Sequence, residues 1–408
     1  MTLINGTYHK NLLIGVFKLF VLIIFINIKM AQSVQEFHTF TSNLYKTTIE
    51  EYNDNVIFSP ISIHVILSFI SHGAKGKTAE EMINGLCIKD ISKLNIDYKN
   101  IISILNSTDK AELHLANSLY LHNDIEVLDD FKTLGMDYYS LIVSKMNFSD
   151  NIQSAEQINN WVLEKTNNKI TDIVSPDDIT EETKMFLINA IYFKGSWKDP
   201  FDSQRTMHKI FYTANNVHVL TDMMIKKQHY VHGDLPNLNA RFLEIPYSDD
   251  NLSMVIILPY EVEGLSYVEK NFNWNYITTA ESSNGEIILH VPKFKIESTI
   301  DLQQILTNMG LKSMFEDTAD LSGITSVPVK ISKVVQKAFL EINEEGSEAA
   351  AATVVRIRLK RMAVQTEEFI VDRPFMVAIR HKLLDIPLFV GQVKVPDVVT
   401  KSTNKDEL

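Results

Sequence analysis

Two apolar runs constrain this 408-residue chain more than any other feature. Phe186 to Phe193 reads Phe-Leu-Ile-Asn-Ala-Ile-Tyr-Phe, rich in β-branched and aromatic side chains. Ser253 to Leu258 is almost continuously apolar until Pro259 stops it. Both read as buried strands. Before them the patterns are mostly helical. Asn55-Val56-Ile57-Phe58-Ser59-Pro60 begins extended, and Ser62 then opens an apolar helix over residues 63–70 that leads into Gly73-Ala74-Lys75-Gly76. Thr78 is placed to cap the next helix by accepting from its first-turn amides. Ile158 to Asn167 has helical spacing, with Trp161 and Val162 inward. Many helices before residue 200 and many strands after it predict an α+β architecture.

Length alone allows two or three domains. No Pro- or Gly-rich stretch, charge run or fixed-period repeat marks a linker, so one large domain is expected. Cys87 is the only cysteine, which rules out an intramolecular disulfide and leaves core burial to supply stability. Such a residue usually serves as a small buried apolar group, with a reactive thiol or an intermolecular bridge as the alternatives. The net charge of −12 favours solubility and argues against nucleic acid as a partner. Lys226-Lys227 is too short to be a basic patch.

No catalytic set is visible. Gly76-Lys77-Thr78 ends like a phosphate-binding loop, but the required first glycine is Ser71. There is no Gly-x-Ser-x-Gly elbow and no His-Glu-x-x-His helix. One cysteine cannot build a Cys-rich zinc cluster. His72 and His114 read as packing or surface histidines. No cofactor, metal or catalytic residue is expected.

The two ends carry addresses. Lys10 and Lys18 bracket Leu12 to Phe17, and the apolar run from Leu19 to Ile28 follows. That run has the length of a signal h-region and falls short of the roughly 20 residues a spanning helix needs. Residues 1–30 are therefore expected to be a signal peptide cleaved near Ala31, although Lys29 departs from the small-residue cleavage pattern. A second start at Met30 would instead yield a cytosolic form. Lys405-Asp406-Glu407-Leu408 is the endoplasmic reticulum (ER) retrieval tetrapeptide, at the only place it can be read. Residues 399–408 are thus a tail for a retrieval receptor, and the expected location is the ER lumen and early secretory pathway, with a secreted fraction possible. Asn106, Asn147 and Asn251 each open a glycosylation sequon.

Ordered blocks then point to a family. Asn55 to Ile63, Gly73 to Met82, Ile158 to Val162 with Thr166 and Lys169-Ile170, and Leu187 to Trp197 appear in sequence. Pro292 to Glu297, Asp372-Arg373-Pro374-Phe375 and Pro387 to Gly391 complete the series. Over about residues 35–396 the chain resembles the serpins. The resemblance implies helices packed on large, mainly antiparallel sheets, a domain over residues 31–398, an exposed reactive-centre loop at about 344–368, and a monomer.

Serpins differ in whether they inhibit, and a fold does not decide a function. Here Glu344, Glu345, Gly346, Ser347, Glu348, Ala349, Ala350, Ala351, Ala352 and Thr353 resemble the hinge of inhibitory members. The resemblance implies that a serine protease cuts the loop, forms an acyl-enzyme, and is trapped as the loop inserts into a sheet. Alternation puts Ser347, Ala349, Ala351, Thr353, Val355 and Ile357 on one face, all small, β-branched or apolar. Glu348, Ala350, Ala352, Val354, Arg356 and Arg358 take the other face, which is expected to end in solvent.

Beyond the hinge, Arg358, Lys360 and Arg361 fit the Arg-x-Lys-Arg pattern of furin-like proprotein convertases, and Arg356 adds one more basic contact. That pattern places the reactive bond at Arg361-Met362. Counting from Gly346 by the usual serpin hinge length places it at Lys360-Arg361, which would suit a trypsin-like target. A non-inhibitory ER chaperone is the further alternative. The chain also has Gln336 where family members commonly carry a histidine near the point at which insertion starts, so pH-sensitive insertion is in doubt.

Overall fold

The structure is a computed structural model that describes residues 34–107, 110–214, 217–347 and 366–399. Residues 1–33, 348–365 and 400–408 lie outside the described residues, as do 108–109 and 215–216. A helix over residues 34–51 (α1) is followed by β1 (Val56–Phe58), α2 (Pro60–Gly73), α3 (Gly76–Gly85) and α4 (Ile91–Asn106). Next come β2 (Ala111–His122), α5 (Asp129–Leu134), β3 (Ile142–Met146), α6 (Asn151–Lys165) and β4 (Met185–Ser196). The second half holds β5 (Met207–Tyr212), β6 (His218–Leu235), β7 (Ala240–Pro246), β8 (Leu252–Pro259), α7 (Leu265–Asn271) and α8 (Asn275–Thr278). It continues with β9 (Ser283–Pro292), β10 (Phe294–Asp301), α9 (Gln303–Asn308), β11 (Lys333–Asn343), β12 (Gly346–Ser347), β13 (Glu367–Ile370), β14 (Phe375–His381) and β15 (Ile386–Val393). The α+β division expected from the patterns is the one observed.

Two large sheets organise these elements. One has nine strands in the order β1-β15-β14-β8-β7-β6-β9-β13, with β5 on β6. The other has six, in the order β10-β11-β12-β4-β2-β3. Most described pairings are antiparallel; β4–β11, β2–β3 and β9–β13 are parallel. The two runs that opened the argument are β4 and β8, each buried over nearly its whole length.

Helix α2 explains how the sheets join. All its residues but His72 are buried, Ser62, His64, Ser68 and Ser71 among them, so the helix is covered on nearly every side. It lies against β4 and β2 of one sheet and β15 of the other. Its cap is Ser59, whose side chain accepts from Ser62 N with Pro60 just inside, so the helix starts earlier than Ser62. Thr78 does not cap α3. That helix begins at Gly76, and the buried Thr78 hydroxyl accepts from Asp320 N at 3.0 Å. Cys87 is half-buried at the edge of the core rather than enclosed by it. His72 bonds the Tyr139 hydroxyl at 2.9 Å and His114 stacks on Tyr192, both packing roles. Among the described residues no helix is long and apolar enough to cross a membrane.

Candidate functional site: a seam in the six-stranded sheet

Strand β4 is paired antiparallel to β2 along its length. On its other side it lies parallel to β11, with Phe186–Tyr192 against Lys333–Phe339. Above Tyr192 and Phe339 the two strands part. The gap is taken by β12, which runs antiparallel to both: Ser347 pairs with Gly195 and Ile342, and Gly346 with Ser196 and Asn343. A central pair of parallel neighbours with an antiparallel strand already started between them is a slot.

Local chemistry sets the start of that strand. Asn343 Oδ1 accepts from Glu345 N at 3.0 Å and Gly346 N at 3.2 Å, an Asx-type turn that reverses the chain. Gly346 has φ +148°, and a Cβ there would meet Gly195 O at 2.1 Å, so only glycine fits. Trp197 Nε1 donates to Asn343 O at 2.9 Å, Trp197 N to Glu345 O at 2.8 Å, and Phe201 N to Glu344 O at 2.7 Å. Ser347 is fully buried, its hydroxyl 2.6 Å from the Tyr247 hydroxyl, and Tyr247 stacks on Trp197. Burial drives the Tyr247 phenol well above its ordinary pKa, so it stays neutral.

Glu344 closes the outer side of the turn. Its carboxylate accepts from Thr206 Oγ1 at 2.7 Å and pairs with Lys293 Nζ at 3.1 Å. Burial works against the charge, but the Thr206 and Lys293 contacts outweigh it and hold the carboxyl below its usual range.

Further down the seam, Gln336 faces Asn189. Its amide accepts from Ser59 N at 2.8 Å and donates to Ser59 O and to Asn189 Oδ1; Asn189 in turn donates to Ser62 and Asn117. All are buried. Gln336 therefore sits in the middle of the seam, six residues down β11 from Ile342, and not beside the start of β12.

The far side of the stretch 348–365 is also anchored. Lys227 Nζ donates to Thr366 Oγ1 at 2.6 Å, β13 pairs with β9, and Val371 N donates to His290 O at 2.9 Å. Of the segment 344–368, residues 344–347 thus belong to a turn and to β12, and residues 367–368 to β13. Glu348 to Thr353, Arg356, Arg358, Lys360, Arg361 and Met362 lie outside the described residues. Asn106, Asn147 and Asn251 are exposed. Among the described residues no group of acidic, histidine or cysteine side chains could hold a metal.

The family profile described as "Serpin (serine protease inhibitor)" matches residues 35–396. The chain belongs to the serpin family. It is 34% identical over 367 residues to human serpin B8, covering 88% of this chain and 98% of the relative. It is 33% identical over 364 residues to alaserpin of Manduca sexta, covering 88% and 92%. Its fold is similar to that of a highly specific serpin of the insect Tenebrio molitor, with a TM-score of 0.83 at 32% identity over 89% of this chain and 98% of that one. Human thyroxine-binding globulin is also similar, with a TM-score of 0.82 at 28% identity over 90% and 99%. The serpin assignment made from ordered blocks holds.

The sequence did not point to Tyr247, Thr206 or Lys293 as parts of the hinge. Each lies about 50 to 140 residues from the residue it touches, and although Lys293 falls in the Pro292–Glu297 block, nothing there points to Glu344.

Proposed function

We propose that this serpin inhibits furin-like proprotein convertases by inserting its cut loop into the seam between β4 and β11. The observation that carries the reading is the position of Gly346 and Ser347, seated in the slot and antiparallel to both walls. Continuing their register puts Ala349 opposite Phe193 and Leu340, Ala351 opposite Ile191 and Ala338, and Thr353 opposite the Asn189–Gln336 pair. Val355 then meets Leu187 and Val334, and Ile357 reaches Met185 at the lower end of β4.

The opposite face is less open than alternation alone implies. Ala350, Ala352 and Val354 come opposite Tyr192, Ala190 and Ile188, which pack into a second core under α6. Small side chains are therefore needed on both faces there, which the alanine run supplies. Arg358, Lys360 and Arg361 fall past the end of β4, so of the four basic side chains only Arg356, opposite Phe186 and Lys333, would enter the seam on insertion.

In the reaction, the protease serine attacks the Arg361 carbonyl and the bond to Met362 nitrogen breaks. That nitrogen leaves as a protonated amine, and the Arg361 acyl group stays on the serine as an ester. Insertion of 348–357 then carries the ester and the protease to the other end of the sheet before water can hydrolyse it. Loop insertion of this kind releases strain stored in the uncut fold. The hinge start at Gly346 favours one variant reading, with the bond at Lys360-Arg361 and a trypsin-like target. The leader and the retrieval tail support action in the early secretory pathway.

The test is to mix the purified protein with furin and, separately, with trypsin. An SDS-stable complex with furin is expected, lost in Arg361→Ala and in Arg358→Ala because alanine leaves an acidic pocket unpaired. A cut found by mass spectrometry only after Lys360, or no effect of Arg358→Ala, overturns the convertase assignment. No complex with any serine protease overturns inhibition.

A further inference from the structure

Three described residues continue past the end of the family match at 396, and they are built into the fold. Asn55 Oδ1 accepts from Lys394 N at 2.7 Å and Val395 N at 3.0 Å, which leads the chain out of β15. Asp397 then meets the start of β10. Its N donates to Lys293 O at 3.3 Å, and its carboxylate accepts from Lys295 N at 3.3 Å. Thr221 Oγ1 donates to Asp397 O at 2.8 Å, Val398 bridges antiparallel to Thr221, and Val399 N donates to Leu220 O at 2.9 Å. Residues 397–399 are thus a strap tied to both β6 and β10.

The strap fixes where the tail leaves the molecule. Lys293, held through its backbone, is the residue whose Nζ pairs with Glu344 at the start of the hinge. The other end of the segment 348–365 is anchored where Thr366 accepts from Lys227 Nζ. Lys227 is seven residues along β6 from Leu220, or ~23 Å at strand spacing. Tail and loop therefore start from the same end of the protein. From Val399, residues 400–408 extend at most ~30 Å.

The inference rests on the loop-insertion and retrieval readings above. A protease domain of about 300 residues has a radius of gyration of ~19 Å, so it is a body ~50 Å across. Seated on the uncut loop, such a body covers the space that the tail can reach. Insertion moves it away. The register carries Ile357 to Met185, ten residues down β4 from Gly195 and so ~33 Å from it, and Arg361 with its ester lies beyond. The strap stays behind, because β9 runs directly into β10 at Lys293 and Lys293 N donates to Asp222 O at 2.9 Å.

We propose that trapping uncovers the retrieval signal: the tail is covered while a protease occupies the uncut loop and free once insertion has carried the protease to the far end. The partner is the receptor that reads Lys405-Asp406-Glu407-Leu408. The covalent complex then returns to the ER as one unit. The inhibitor thereby removes its target from the later secretory pathway as well as inactivating it.

The test measures binding of the full-length protein to solubilised retrieval receptor in three states. These are the free protein, its covalent complex with furin, and its assembly with saturating furin that lacks the serine nucleophile. Free protein and covalent complex are expected to bind within about twofold of each other. The assembly with inactive furin is expected to bind about tenfold more weakly, because protease and receptor cannot engage together. Inserting about sixty Gly and Ser residues after Val399 raises the typical reach to ~45 Å and should restore binding in that assembly. A covalent complex that binds as weakly as the inactive assembly overturns the proposal. So does an inactive assembly that binds as well as the free protein, or one that stays weak with the linker. A free protein that the receptor does not bind refutes the retrieval reading, and absence of any covalent complex refutes inhibition; both are different failures.

Discussion

Ser347→Arg separates a trap from a substrate. Ser347 is fully buried, on a rung between Gly195 and Ile342, with its hydroxyl against Tyr247. Arginine there loses that hydrogen bond, about 1 kcal/mol, and would have to bury an unpaired guanidinium, a penalty of several kcal/mol. The variant hinge is therefore expected to stay outside the seam, and insertion then has no started strand to extend. Even ~3 kcal/mol added to the insertion barrier slows it by roughly two orders of magnitude. Deacylation then wins, and the protein is cut as an ordinary substrate. Glu348→Arg is the control: in the proposed inserted strand it would come opposite Lys194 and Glu341, which are partly exposed, so it should matter little. The assay counts inhibitor molecules consumed per protease inactivated and compares thermal stability before and after loop cleavage. Wild type should gain stability on cleavage and Ser347→Arg should gain less. Equal stoichiometry and an equal gain in Ser347→Arg would falsify insertion through this seam.

Three further outcomes follow from the same structure. His64 donates from Nε2 to Leu86 O at 2.8 Å and accepts from the Tyr98 hydroxyl at Nδ1; burial lowers its pKa to about 4. The unfolded chain binds that proton more readily, so this contribution is complete above about pH 6.5 and is lost as pH falls toward 4. It is on the order of 3 kcal/mol, and urea unfolding at pH 7 and 4.5 should show a smaller loss in His64→Gln than in wild type. Glu344→Gln should lower unfolding stability by about 1–2 kcal/mol at pH 7, less so under acidic conditions where the wild-type carboxylate is itself protonated; an unchanged denaturant midpoint at pH 7 counts against the Lys293 pairing. Deleting Lys405 to Leu408 should release the protein into the medium without changing inhibition, and equal secretion of both forms would sink the retrieval reading.

Much of the fold was legible because burial leaves a mark on sequence. The apolar β4 and β8, the largely apolar α2 and the switch from helical to strand patterns near residue 200 each follow from what must leave water. Caps were read less well. Ser59 took the role because its hydroxyl meets Ser62 N, while Thr78, with equal chemistry, was claimed by Asp320 from the far end of the chain. Gln336 was legible as a departure from the family, but its place was not. It lies at mid-seam because a parallel pairing sets β11 against β4, and nothing local encodes that register.

Residue types alone were enough to place the chain among the serpins, to exclude an intramolecular disulfide, and to set an alanine-rich segment ahead of four basic side chains. These depend on residue types at nearby positions, which a reader of the chain can see. Tertiary pairing is what seats Gly346 and Ser347 in the sheet, covers both faces of β4 beside the seam, and brings Lys333 and Lys337 to the stretch between α6 and β4. Those facts depend on pairing between strands and segments more than a hundred residues apart. A strand's alternation shows which side chains share a face; what covers that face is set by the layers that fold onto it.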